Sequence, residues 1–255
     1  MSSQDKTSMG GESGTFLTTH WSFIEGIKQH KDQDRALIGL LLERYWKPVY
    51  CYLRRKGYDN EQAKDLTQEF FHEVVLNRHL LERADSEKGR FRTFLLHSLN
   101  QYLIDEHRKE TARKHIPKEK LVPLDIADQP TLPEMVCKLD AEQSFNYVWK
   151  AELLERVLAE IKDRYTTRGM ETHWYVFRDR LLEPYLEDHE VPSFSQICQR
   201  YRIADETTAS NMLKTVKRLF RSVLEKHIRQ TVLSGEAVEE ELREIFKFLE
   251  KERTD

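Results

Sequence analysis

The sequence predicts an all-α fold: two small helical domains joined by a proline-rich linker, the second containing a helix-turn-helix. Three observations carry this expectation. Glycine and proline are scarce, at 9 and 7 in 255 residues, while charged residues, many of them strong helix formers, reach 33%. Apolar residues recur at helical spacing, and no strand alternation stands out. Four of the seven prolines (Pro117, Pro123, Pro130, Pro133) fall between residues 115 and 135, where missing backbone donors and restricted preceding residues disfavour helix. With 39% hydrophobic and 10% aromatic residues the chain has material for real cores.

Residues 1–16 are polar, contain Gly10, Gly11 and Gly14, and are expected to form a flexible tail. The first domain is expected over 17–114. A helical pattern begins near His20 and is clear from Asp34, with Leu42, Tyr45, Val49 and Tyr52 forming one stripe. Pro48 lies inside that stripe and is expected to kink or interrupt it; Gly57 ends the segment. Asp59, with Gln62 three residues on, has the pattern of a capping box. In the helix that follows, Ala63, Leu66, Phe70 and Val74 share one face, and Asp65, Gln68, Glu69 and His72 fall opposite. Residues 84–89 read as a loop, and a long helix is expected from Arg90 to about Lys114 with Phe91, Leu95, Leu99, Tyr102 and Leu103 inward.

The linker is assigned to 115–149 and the second domain to 150–232. Leu153, Val157, Ile161 and Tyr165 resume the helical period, which returns through Trp174 to Leu182. Pro192 then precedes Ser193, a second N-cap with Gln196 at the third helical position. A short helix to Tyr201, a tight turn over Arg202, Ile203 and Ala204, and a long helix capped by Asp205 and running to about Thr231 form a helix-turn-helix pattern. Residues 233–255 are expected to form an acidic amphipathic helix with Val238, Leu242, Ile245 and Leu249 on one side.

No catalytic site, metal site or cofactor is expected. His72-Glu73 opens like a zinc-protease HExxH, but Leu76 occupies the second ligand position. Asp105-Glu106-His107 has no nucleotide-binding GxxxxGK[ST] to accompany it, and the ten histidines do not cluster. Three dispersed cysteines (Cys51, Cys137, Cys198) form no disulfide framework and suit a reducing interior. No secretory signal and no membrane-length apolar run is visible, so a soluble, cytoplasmic protein is expected.

The formal charge of -3 averages over segregated patches. From Lys88 to Lys114 seven basic residues face three acids, and from Glu206 to Arg229 six face two. Residues 236–255 carry eight acids and four bases. Each basic helix is suited to neutralising phosphates and gaining affinity through counterion release. In the second, Thr207, Thr208, Ser210 and Asn211 occupy the turns that usually meet base edges, while Lys214, Lys217, Arg218 and Arg221 suit phosphates.

Several stretches carry a family resemblance: Arg44 to Tyr50 (RYWKPVY), Tyr52 to Gly57 (YLRRKG), Asp65 to Phe71 (DLTQEFF), Gly89 to Leu96 (GRFRTFLL) and Leu103 to Lys109 (LIDEHRK). With Ala209 to Leu213 and Lys217 to Arg221, they resemble a bacterial RNA polymerase sigma factor of the extracytoplasmic-function (ECF) type. The resemblance implies that 17–114 corresponds to sigma region 2 and 150–232 to region 4. It implies partners: core RNA polymerase, through the clamp helices of its largest subunit, and promoter DNA. Asp65, Gln68, Glu69 and His72 would form the polymerase face. Asp85, Ser86 and Lys88 would lie in the loop that captures a flipped -10 base, and Arg90, Arg92, Arg108, Lys109 and Arg113 would follow the non-template strand. Thr207, Thr208, Ser210, Asn211, Lys214, Lys217, Arg218 and Arg221 would read the -35 element. The family commonly has a glycine at the helix-turn-helix turn, and Tyr201 to Ala204 has none; a residue at positive φ would be strained there, so a wider turn and shifted contacts are expected.

The alternative is a stand-alone helix-turn-helix regulator of duplex DNA, which gives the Asp65 face no role. What restrains the protein is left open among an anti-sigma or other regulatory protein, phosphorylation, and the carboxyl-terminal extension itself.

Overall fold

The structure, a computed structural model, describes residues 34–76, 90–110, 134–186, 190–229, 231–232 and 235–251. Every regular element among them is helical. The expected tail and the loop at 84–89 lie outside the described residues, as do the four linker prolines.

Helix α1 spans Asp34–Arg55 and is continuous through Pro48. An interior proline costs about 3 kcal/mol. Here Pro48 is itself buried, and Tyr45, Val49, Tyr50, Tyr52 and Leu53 around it are enclosed, so packing holds the helix together without that donor. The expected interruption does not occur. Helix α2, Asn60–Leu76, starts at the capping box read from the sequence. The Gln62 amide donates to Asp59 Oδ1 at 2.8 Å, and the Asp59 amide donates to Gln62 Oε1 at 3.0 Å. Helix α3, Phe91–Glu110, places Phe91, Leu95, Leu99 and Tyr102 inward. Tyr45 meets Phe91 edge-on at 5.3 Å, and Phe70 meets Tyr102 at 5.7 Å, so α1, α2 and α3 share a core.

After a short helix α4, Glu134–Lys138, helix α5 spans Ala141–Thr166. It begins nine residues before the expected domain start at 150, inside the stretch assigned to the linker. Asp140 and Gln143 form a capping box there, and Phe145, Val148 and Trp149 extend the buried stripe. α5 runs along α1: Lys47 pairs with Glu152, and Arg55 Nε donates to the Leu139 carbonyl at 2.8 Å. The described parts of both expected domains therefore contribute to one continuous core.

Helix α6, Glu171–Phe177, widens into a π-type turn over Arg178–Leu182 and ends in α7, Glu183–Leu186. Helix α8, Phe194–Tyr201, is capped by Ser193, whose hydroxyl accepts from the Gln196 amide at 3.2 Å. Helix α9, Glu206–Arg229, packs Leu213, Val216, Phe220, Val223, Leu224 and Ile228 against α5 and α6. Helix α10, Gly235–Lys251, lies against α9 with Val238, Leu242 and Ile245 buried.

Candidate functional site

The α8–α9 pair is positioned by a single carboxylate. Asp179, 1% exposed in the widened turn after α6, accepts from Arg178 Nε and Nη2 at 2.9 and 2.8 Å. It also accepts from Arg200 Nη1 at 2.6 Å and from the Tyr201 hydroxyl at 2.5 Å, both at the end of α8. Tyr175 stacks on Tyr201 at 5.7 Å, and the Arg180 guanidinium lies 4.1 Å from the Phe194 ring centre. Burial raises the Asp179 carboxyl, yet bonds from Tyr201, Arg178 and Arg200 outweigh it and hold the group below the ordinary aspartate range. α6 and the widened turn after it are thus the buttress on which α8 sits.

The turn to α9 is made by a non-glycine residue in the left-handed region rather than by a widened loop. Arg202 is left-handed, at φ 54° and ψ 44°. α9 then starts under Asp205, whose Oδ1 accepts from the Thr208 amide at 2.7 Å and whose Oδ2 accepts from the Thr208 hydroxyl at 2.9 Å. Those bonds from Thr208 lower the Asp205 carboxyl. Thr208 is therefore engaged in the cap, and Ser210 is half-buried. Thr207, Asn211, Lys214, Lys217, Arg218 and Arg221 are exposed, on the side away from Ala209, Leu213, Val216 and Phe220. Among the described residues none of these four cations is ion-paired, whereas Lys226 and Arg229 further along meet Glu160 and Glu225.

The start of α3 is arranged differently. Arg90 directs Nη1 at Glu244 (2.7 Å), Nε at Glu241 (3.0 Å) and Nη2 at Glu240 (3.2 Å), all on α10. Arg92 pairs with Glu241, reaches Glu244 at 3.0 Å and Asn146 at 3.1 Å, and stacks over Trp149 at 4.6 Å. Burial, then the neighbouring Arg90, brings the Arg92 guanidinium down to about 10, which leaves it charged at neutral pH. For Glu244 the burial effect is outweighed by Arg90, Arg92 and Lys150, so its carboxyl lies below the usual range. Both arginines, expected on a nucleic-acid strand, are covered by carboxylates that periodicity could not connect to them. Arg108 is exposed; the Lys109 side chain, Asp85, Ser86, Lys88 and Arg113 lie outside the described residues.

On α2, Asp65 is exposed, while Gln68 and Glu69 are half-buried. Glu69 Oε2 accepts from the Tyr102 hydroxyl at 3.1 Å. His72, expected with them on the outer face, is 8% exposed. α2 packs between α1 and Tyr102 of α3, so its buried arc takes in Ala63, Thr67, Phe70, Phe71 and His72.

Among the described residues no three His, Cys, Asp or Glu side chains converge on a metal-sized site, and no helix is long and apolar enough to cross a membrane.

Residues 41–113 match the family model of Sigma-70 region 2, covering most of α1, all of α2 and all of α3. No curated protein and no solved structure matches the chain. Residues 41–113 are therefore similar to region 2 of sigma-70 family sigma factors. Region 2 is the part of such a factor that binds core RNA polymerase and melts promoter DNA.

Proposed function

We infer that this chain is a sigma factor of the ECF type, acting in the cytoplasm with promoter DNA and with the clamp helices of the polymerase's largest subunit as partners. The outer side of α2, centred on Asp65, Gln68 and Glu69, docks on polymerase. Asp85, Ser86 and Lys88 capture a flipped -10 base, and Arg108 and Lys109 of α3, with Arg113 beyond it in the sequence, follow the displaced strand. Extruding a base costs a few kcal/mol, which pocket and phosphate contacts must offset. The α8–α9 pair serves as the helix-turn-helix for the -35 element. Thr207 and Asn211 in the first turns of α9 are directed to base edges, and Lys214, Lys217, Arg218 and Arg221 to phosphates.

The observation that carries this reading is the joint presence, on one chain, of the region 2 match over 41–113 and of α9, whose exposed Lys214, Lys217, Arg218 and Arg221 make no ion pair among the described residues. One observation favours a narrower reading, a stand-alone duplex-DNA regulator: α9 is open while Arg90 and Arg92 are engaged. Titration against purified core polymerase separates the two. The sigma reading expects a stable complex that Asp65→Ala with Gln68→Ala weakens about tenfold, about 1.4 kcal/mol, with the helical content unchanged. An unchanged affinity in the double variant would remove the polymerase face from α2, and no complex at all would leave only the regulator.

A further inference from the structure

The two arginines that begin α3 meet carboxylates contributed from the other end of the chain. Glu240, Glu241 and Glu244 follow one another along one side of α10, while Val238, Leu242 and Ile245 fasten that helix to the core. Lys150 adds a third cation, 3.7 Å from Glu244. Guanidinium forks bind carboxylate and phosphate oxygens in the same planar geometry, so three carboxylates on a helix occupy the space that consecutive phosphates would need. Glu241 is fully enclosed, but Glu240 and Glu244 remain 62% and 39% exposed at the rim, where an approaching polyanion meets them first.

We propose that α10 is an intramolecular competitor for Arg90 and Arg92, an acidic clasp that closes the start of α3 to single-stranded nucleic acid in the free protein. This rests on the reading of α3 as a strand-following helix. A strand can reach the arginines only in the fraction of molecules whose clasp is open, so the apparent dissociation constant is the intrinsic one divided by that fraction. Weakening the clasp tightens binding by the same factor. The acidity of Glu240, Glu241 and Glu244 on α10 then has a definite place of action.

The test measures affinity for a single-stranded DNA oligonucleotide at several salt concentrations, with backbone hydrogen exchange over 235–251. The full chain is compared with E240Q/E244Q, which keeps the apolar side of α10. E236Q/E239Q removes the same charge from exposed positions of that helix that pair with neither arginine. The clasp variant is expected to bind about tenfold more tightly, with a salt slope steeper by about 1.4 for two added phosphate contacts. The charge-matched variant should stay within about twofold of the parent, as expected for surface charges. In the parent chain, DNA should lower the exchange protection of α10, a readout that needs no variant. Equal affinities in parent and clasp variant, equal gains in both variants, or an α10 that stays protected in the DNA complex would each overturn the clasp. In those cases the binding itself would leave α3 as a DNA element untouched. Failure of every form to bind would instead overturn the strand-following role of α3, and the clasp with it.

Discussion

Asp179→Ala should loosen the seat of α8 and α9 more than any other single polar change in that half of the protein. The carboxylate is 1% exposed and accepts from Arg178, Arg200 and the Tyr201 hydroxyl. A bond between a buried carboxylate and the tyrosine hydroxyl contributes about 1.5–2 kcal/mol. The two arginines are 38% and 54% exposed, so each ion pair is screened and contributes only about 0.5–1 kcal/mol. The sum is about 3 kcal/mol, or a fall of about 6–12 °C in the thermal midpoint for a chain of this size. The assay is thermal denaturation followed by far-ultraviolet circular dichroism at pH 7, repeated down to about pH 3. The sign follows from the depressed folded-state pKa. The stabilisation is complete above the unfolded aspartate value of about 4 and is lost as pH falls through the lower folded value. The gap between parent and variant should therefore close on acidification. A variant melting within about 2 °C of the parent at pH 7, or a gap independent of pH, would refute the buttress.

Two further outcomes are expected. Arg202→Gly should stabilise the protein by about 0.5–1 kcal/mol, because relief of the left-handed strain at φ 54° exceeds the entropy glycine adds to the unfolded chain; a lower midpoint in urea would contradict this. Lys214→Ala should weaken binding to duplex DNA and reduce the salt slope by about 1, and an identical slope would mean that Lys214 touches no phosphate.

The features legible in the sequence were the local ones. The caps at Asp59, Ser193 and Asp205 depend on residues three positions apart, and each is found with its bonds in place. The basic positions of α9 were legible too, and Lys214, Lys217, Arg218 and Arg221 are exposed. Asp140 and Gln143 hold the same capping pattern, but they lie next to a proline-rich stretch whose composition outweighed it. Backbone cost alone argues against Pro48 inside a helix, whereas the packing that encloses this part of α1, such as Phe91 of α3 on Tyr45, is tertiary. His72 lies on a helix buried from two sides, so the division into one apolar and one polar face was too narrow. Nothing local reveals that Asp179 gathers Arg200 and Tyr201, or that Glu241 meets Arg90 and Arg92, because those partners are joined only by tertiary packing.

Promoter-directed initiation by purified core RNA polymerase, with and without this protein, tests the central claim most directly. The reading predicts transcripts with a defined start from a subset of promoter-containing DNA only when the protein is present, in amounts that saturate as it matches the polymerase. Transcription that is unchanged by the protein, at concentrations where both components are folded and active, would contradict it.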